Sequence, residues 1–149
     1  MFKRLTPVFT VERIEPCLDF WTSRLGFVKV FDSGEGDHLD FAILVRDNVE
    51  IMYRTRDSLK LDIPDLEFWP TRDSGIVYIE VGDFDEVAAA LEGAEIVVPQ
   101  RKTFYGQEIG IRGPAGRIVM FLSHDEAFPP MGPLTSAAAE VAAETSAAL

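Results

Sequence analysis

The feature that most constrains this chain is an order of apolar segments that runs through twice. Residues Val8 to Val11 are apolar and extended, and Ile14, Cys17, Leu18, Trp21 and Leu25 then recur at the spacing of one buried helix face, with Gly26 as a natural stop. Three strand-like segments follow, Phe27 to Phe31, His38 to Arg46 and Val49 to Arg54, divided by the turn-rich Ser33-Gly34-Glu35-Gly36-Asp37 and the tight Asp47-Asn48. The order is β-α-β-β-β.

From Ile76 the same order restarts. Ile76 to Val81 is extended, Phe84, Val87, Ala88 and Leu91 carry a helix stripe, and Gly93 ends it. Strands are expected at Glu95 to Val98, Gln107 to Arg112 and Arg117 to Ser123, with Gly113-Pro114-Ala115-Gly116 as the turn before the last. Laying Val11 on Val81 sets an offset of about 70, which also brings Ile14 onto Phe84, Trp21 onto Leu91 and Val49 onto Val119. Identity across the overlay is low, and what survives is apolar phase and element order. One α+β domain over residues 1–124 is expected, with βαβββ modules at 5–56 and 75–124. Residues 57–74, which contain Pro64, Phe68, Trp69 and Pro70, read as an aromatic crossover loop. The Ala-rich tail 125–149 has helix-favouring composition but few large apolar anchors, so a docked helix and a frayed end both stay open.

Composition narrows the function classes. A formal net charge of -11, with scattered basic residues, argues against nucleic acid, where affinity comes from neutralising phosphates. The longest apolar runs, such as Phe41 to Val45, fall far short of the roughly 20 residues of a membrane span, and the N-terminal stretch lacks a signal-peptide pattern. A cytoplasmic protein is expected. Cys17 is the single cysteine, which rules out an intramolecular disulfide and fits a reducing compartment, and its place on the apolar face of the first helix marks it as core. His38 and His124 are the only histidines, expected at a surface or strand end.

Three short signatures appear in a fixed order: Phe9-Thr10-Val11 leading to Leu18-Asp19-Phe20-Trp21 and Leu25-Gly26-Phe27; Val81-Gly82-Asp83-Phe84-Asp85; and Tyr105-Gly106 followed by Gly113-Pro114-Ala115-Gly116-Arg117-Ile118. In this the chain resembles the vicinal-oxygen-chelate superfamily of glyoxalases, bleomycin-resistance proteins and extradiol dioxygenases. The resemblance covers about residues 5 to 124 and implies two βαβββ modules whose mixed sheet curls into a cup. The family's usual Asp-Pro-Asp-Gly turn stands here as Gly113-Pro114-Ala115-Gly116, without either acid. The positions where metal-dependent members carry ligands fall on Thr6, Glu50, Ile76 and Met120, and the internal offset pairs the same four. Ile has no donor atom and a Met thioether is soft, so no metal and no cofactor are expected.

Strand alternation, combined with the resemblance, sends Thr6, Val8, Thr10, Glu50, Met52, Tyr78, Glu80, Ile118 and Met120 towards the cup, together with Ile76 and Leu122. With Phe41, and with Phe68 or Trp69 of the crossover, such a lining has apolar walls and a few polar points, as small-molecule pockets do. The competing reading is plain sheet core without a cavity, although two carboxylates would be costly to bury there. The leading expectation is a metal-free homodimer that sequesters an antibiotic or metabolite, cationic or aromatic, with Glu50 and Glu80 meeting its charge. A glyoxalase-like lyase or isomerase, or a dioxygenase, with a non-standard metal site or with Glu50 as general base, stays open. So does a structural dimer with a collapsed cup, and a solvated or Arg-held Glu50.

Overall fold

The computed structural model describes residues 4–63 and 76–125. Expectations for Phe68 and Trp69 and for the tail beyond residue 125 lie outside these residues. Element order in the first module is β1 (Val8–Val11), α1 (Glu15–Asp19) continuing as a π-helical stretch (Phe20–Arg24), β2 (Val28–Glu35), β3 (His38–Arg46) and β4 (Val49–Thr55). A short helix α2 (Arg56–Asp62) follows. The second module contains β5 (Ile76–Glu80), α3 (Phe84–Ala90), β6 (Ile96–Thr103), β7 (Gly106–Arg112) and β8 (Ile118–His124).

Each module makes its own four-stranded sheet, in the orders β1-β4-β3-β2 and β5-β8-β7-β6. The first strand of each runs parallel to the last, and the remaining ladders are antiparallel. The duplicated βαβββ order expected from the sequence is therefore the architecture of the molecule.

Alternation decides which sheet face is covered. Phe9, Val11, Ala42, Leu44, Ile51 and Tyr53 of the first sheet are buried, as are Ile79, Ile109, Ile111, Val119 and Phe121 of the second. They share one core cluster with Ile14, Cys17, Trp21 and Leu25 of the first helical segment and with Phe84, Val87 and Leu91 near α3. The helix-covered faces of the two modules thus turn towards a common interior. Polar ties reinforce the docking: Arg46 meets Glu86 at 3.0 Å, and Arg24 donates to the Glu92 carbonyl at 2.7 Å.

Three local features depart from the sequence reading. Strand β2 runs on past Phe31 to Glu35, because Ser33, Gly34 and Glu35 of the expected turn ladder with Phe41, Leu39 and His38. The crossover begins as a helix because Thr55 accepts a hydrogen bond from the Ser58 N–H as its N-cap, with Asp57 in the first turn and Lys60 in the last. Strand β6 also runs on to Thr103, well beyond Val98, because Arg101, Lys102 and Thr103 ladder with Glu108, Gln107 and Gly106. At Gly106, φ is 152°, and a Cβ there would run into the Ser123 carbonyl, so the hairpin requires glycine.

Candidate functional site

The expected ligand residues occupy the faces opposite the shared core, in two groups. On the first sheet, Val8 pairs with Met52 and Phe41 with Arg54, which sets Thr6, Val8, Thr10, Phe41, Glu50 and Met52 on one side. Thr6 Oγ1 donates to Glu50 Oε1 at 3.0 Å, and Arg4 Nη1 donates to Oε2 at 2.9 Å. Both oxygens of the carboxylate are therefore engaged, the Arg-held state that the sequence left open. Phe41 receives Phe31 edge-on at 6.0 Å.

On the second sheet, Ile76, Tyr78 and Glu80 lie across from Ile118, Met120 and Leu122. This register corrects the simple overlay. Val8 and Met52 are separated by 52 − 8 = 44 residues and Tyr78 and Met120 by 120 − 78 = 42, so the residue beside Ile76 is Ile118. Met120 remains on the same face two positions on. Ile76 and Tyr78 are 54% and 58% exposed, whereas Met120 and Leu122 are buried. Gly110 makes room for Met120, since a Cβ there would collide with its sulfur. The face thus has an apolar floor and an exposed aromatic rim.

A polar network that the sequence reading did not anticipate lies on this same face. Glu108, opposite Leu122, has no exposed surface; Arg101 donates to its Oε1 at 2.8 Å and the Tyr105 hydroxyl to its Oε2 at 2.5 Å. Burial works to raise the Glu108 carboxyl, but these two hydrogen bonds outweigh it and hold the group below its ordinary range. Tyr105 is raised in turn, chiefly because its hydroxyl is given to that carboxylate. Beside it, His124 Nδ1 lies 3.0 Å from Glu80 Oε1, and the imidazole is 6.2 Å from the Tyr105 ring centroid. A signal for part of this was present. A hairpin turning tightly at Phe104-Tyr105 pairs residues whose numbers sum to 209, which sets Arg101 against Glu108.

The metal-ligand positions implied by the family resemblance are Thr6, Glu50, Ile76 and Met120. Of these, only Glu50 offers a strong donor, and its oxygens are taken by Arg4 and Thr6. Among the described residues no group of three or more His, Cys, Asp or Glu side chains is placed to hold an ion. The residues at these positions do not fit a divalent metal. Cys17 is buried, and burial pushes its thiol up to about 11, which suits core rather than nucleophilic duty.

Between the modules a cleft of about 380 Å³ opens against the β3–β4 turn and the start of α3. Its apolar wall is Leu25, Phe27, Val87 and Phe121, and Arg46 and Glu86 stand at its edge. Of the ten expected ligand residues, Glu80 alone lines it. Among the described residues, no helix is long and apolar enough to cross a membrane.

At the level of sequence, no family model and no curated protein matches the chain. Solved structures do. A glyoxalase/bleomycin resistance protein/dioxygenase from Nocardioides is 18% identical, with a TM-score of 0.61 and 91% of each chain covered. A glyoxalase/bleomycin resistance protein/dioxygenase family enzyme from Burkholderia phytofirmans superposes with a TM-score of 0.66 at 12% identity, covering 80% of this chain and 97% of that one. The bleomycin-binding protein of bleomycin-producing Streptomyces verticillus, solved with copper(II)-bleomycin, is 25% identical, with a TM-score of 0.57, covering 84% of this chain and all of that one (100%).

Proposed function

We propose that this chain, which has the vicinal-oxygen-chelate fold of the glyoxalase and bleomycin-resistance proteins, is a metal-free protein that binds and sequesters a small planar molecule. The observation that carries this reading is the outer face of the second sheet. Tyr78 and Ile76 stand exposed above buried Met120 and Leu122, with Glu80 as a charged point at the end of the strand. Apolar floor, aromatic rim and few polar groups are the composition of a small-molecule site. The structural likeness to a bleomycin-binding protein supports the same class of ligand, an antibiotic or metabolite with aromatic or cationic character.

The donor set at Thr6, Glu50, Ile76 and Met120 supports the metal-free part. It also weighs against Glu50 as a general base, since its lone pairs already serve Arg4 and Thr6. A homodimer belongs to the proposal because β1 and β5 each stand at the edge of a separate sheet and the outer faces carry exposed Val8, Ile76 and Tyr78. A second copy would cover both. A cytoplasmic setting accords with the single buried cysteine.

The test is a thermal-shift and calorimetric screen of the purified protein against cationic and aromatic antibiotics, bleomycin included, with metal analysis alongside. Stoichiometric binding in the presence of a chelator is expected. Tight stoichiometric zinc, iron, nickel or manganese with activity lost on chelation would sink the sequestration reading.

A further inference from the structure

On the outer face of the second sheet, Glu80 and His124 form a carboxylate–imidazole pair next to aromatic side chains. Their places follow from register. Glu80 pairs with Leu122, so His124 is its diagonal neighbour two residues along the same face. A carboxylate accepts hydrogen bonds, so a neutral imidazole making the 3.0 Å contact carries its proton on Nδ1 and presents the Nε2 lone pair. Among the described residues Nε2 has no partner, and the His124 side chain keeps 24% of its surface accessible. A carboxylate behind an imidazole strengthens the far nitrogen as an acceptor.

The surroundings select what that acceptor would meet. The Tyr105 ring stands 6.2 Å from the imidazole, and the Tyr105 hydroxyl is committed to Glu108, so the residue offers its ring. Tyr78, two residues before Glu80 on β5, exposes a second ring on the same face. The Glu108 carboxylate is balanced by Arg101, which leaves the pair of Glu80 and His124 as the unsettled polar point among aromatic and apolar groups.

We propose that this pair is a recognition point for the acidic hydroxyl of a planar ligand, a phenol or enol, whose O–H donates to His124 Nε2 while its ring packs among Tyr78 and Tyr105. The inference rests on the small-molecule reading above and adds the chemical class of the ligand. Glu80 is a positioning residue that fixes the imidazole; His124 makes the contact.

The experiment compares 2-naphthol with 2-methoxynaphthalene, which keeps the rings and lacks the donor, by fluorescence titration of the full chain. Wild type is expected to bind 2-naphthol at least about tenfold more tightly. His124→Phe should bring the ratio to about one. Glu80→Gln should narrow the ratio and weaken the Nδ1–H tautomer signature in long-range 1H–15N spectra. Equal binding of both compounds by wild type, or an unchanged ratio in His124→Phe, overturns the inference and leaves the small-molecule reading standing. If neither naphthalene binds while the antibiotic screen yields a ligand, the inference alone falls. No ligand from either experiment ends both.

Discussion

Trp21 donates its indole N–H to the phenolic oxygen of Tyr53 at 2.8 Å, and both side chains are fully buried. The bond ties the helical segment of the first module to β4, and Phe9 packs edge-on to the same tyrosine at 5.4 Å. Tyr53→Phe keeps the packing and leaves the indole without a partner, which should cost about 1–3 kcal/mol in urea unfolding. Burial also raises the Tyr53 hydroxyl, so the folded state holds its proton to higher pH than the unfolded chain. Stability contributed by this group is complete below the unfolded value of about 10 and declines above it. The variant should show a shallower alkaline loss than wild type.

Glu108 makes the opposite pH prediction. Its pKa is depressed in the fold, so its contribution is present above the unfolded value of about 4.3 and is lost as pH falls through the folded one. Tyr105→Phe removes a donor from a fully buried carboxylate, with an expected loss of about 1–3 kcal/mol at neutral pH. Glu108→Gln should flatten the acid limb of the stability profile, as followed by circular dichroism from neutral pH downwards. An unchanged acid limb would show that other carboxylates govern it.

The contrast between Trp21 and Glu108 shows what the sequence could convey. Trp21 lies in a stripe with Ile14, Cys17 and Leu25, a 3.6-residue period readable without coordinates, and the same period marks Phe84, Val87 and Leu91, while extended apolar segments and turn residues mark the strands. Glu108 is one acid among many by composition. Its burial follows from a hairpin register and from an Arg and a Tyr that reach it from neighbouring positions, and charge scales carry no such information. The overlay of the modules failed for a related reason. Apolar phase repeats every two residues in a strand, so a slip of two between β1–β4 and β5–β8 leaves the pattern intact and moves Ile118 to the place assigned to Met120. Helix α2 gives no buried stripe for apolar periodicity to mark, since Leu61 is exposed and Leu59 only half-buried.

Gly106 should tolerate no side chain. At φ 152° the backbone is already in a region that disfavours L residues, and a Cβ would meet the Ser123 carbonyl on β8. Gly106→Ala is expected to cost about 1–3 kcal/mol by strain. The damage should spread to the neighbouring Tyr105 and His124. Loss of Tyr105 hydroxyl protection in hydrogen-exchange spectra, alongside the lower midpoint, would locate it there.

Glu50 is predicted to matter little for stability despite its engaged oxygens. Arg4 is largely exposed, and such pairs contribute about 0–1 kcal/mol. Glu50→Gln should therefore stay within about 1 kcal/mol of wild type, and differential scanning calorimetry at two ionic strengths would check it. A much larger loss would mean that the outer face of the first sheet is a closed core.

Arg117 joins the modules in a way that separates charge from bulk. Its Nη2 donates to the Thr10 carbonyl at 2.9 Å, and the guanidinium carbon stands 5.0 Å from the Phe9 ring centroid, so one side chain just before β8 holds two successive residues of β1. The planar, delocalised cation suits both contacts at once, which a lysine ammonium does not. Arg117→Met keeps an apolar stem against Phe9 and should still lose about 1–3 kcal/mol, through the missing hydrogen bond and cation–π contact. Arg117→Lys should recover less than half of that. Because the contact spans the two modules, weakening it should also broaden the urea transition, lowering the apparent m value as the modules begin to unfold apart. A sharp, wild-type-like transition at a merely lower midpoint would show instead that the shared core of Phe9, Trp21, Ile79 and Phe121 suffices to keep the two halves one cooperative unit.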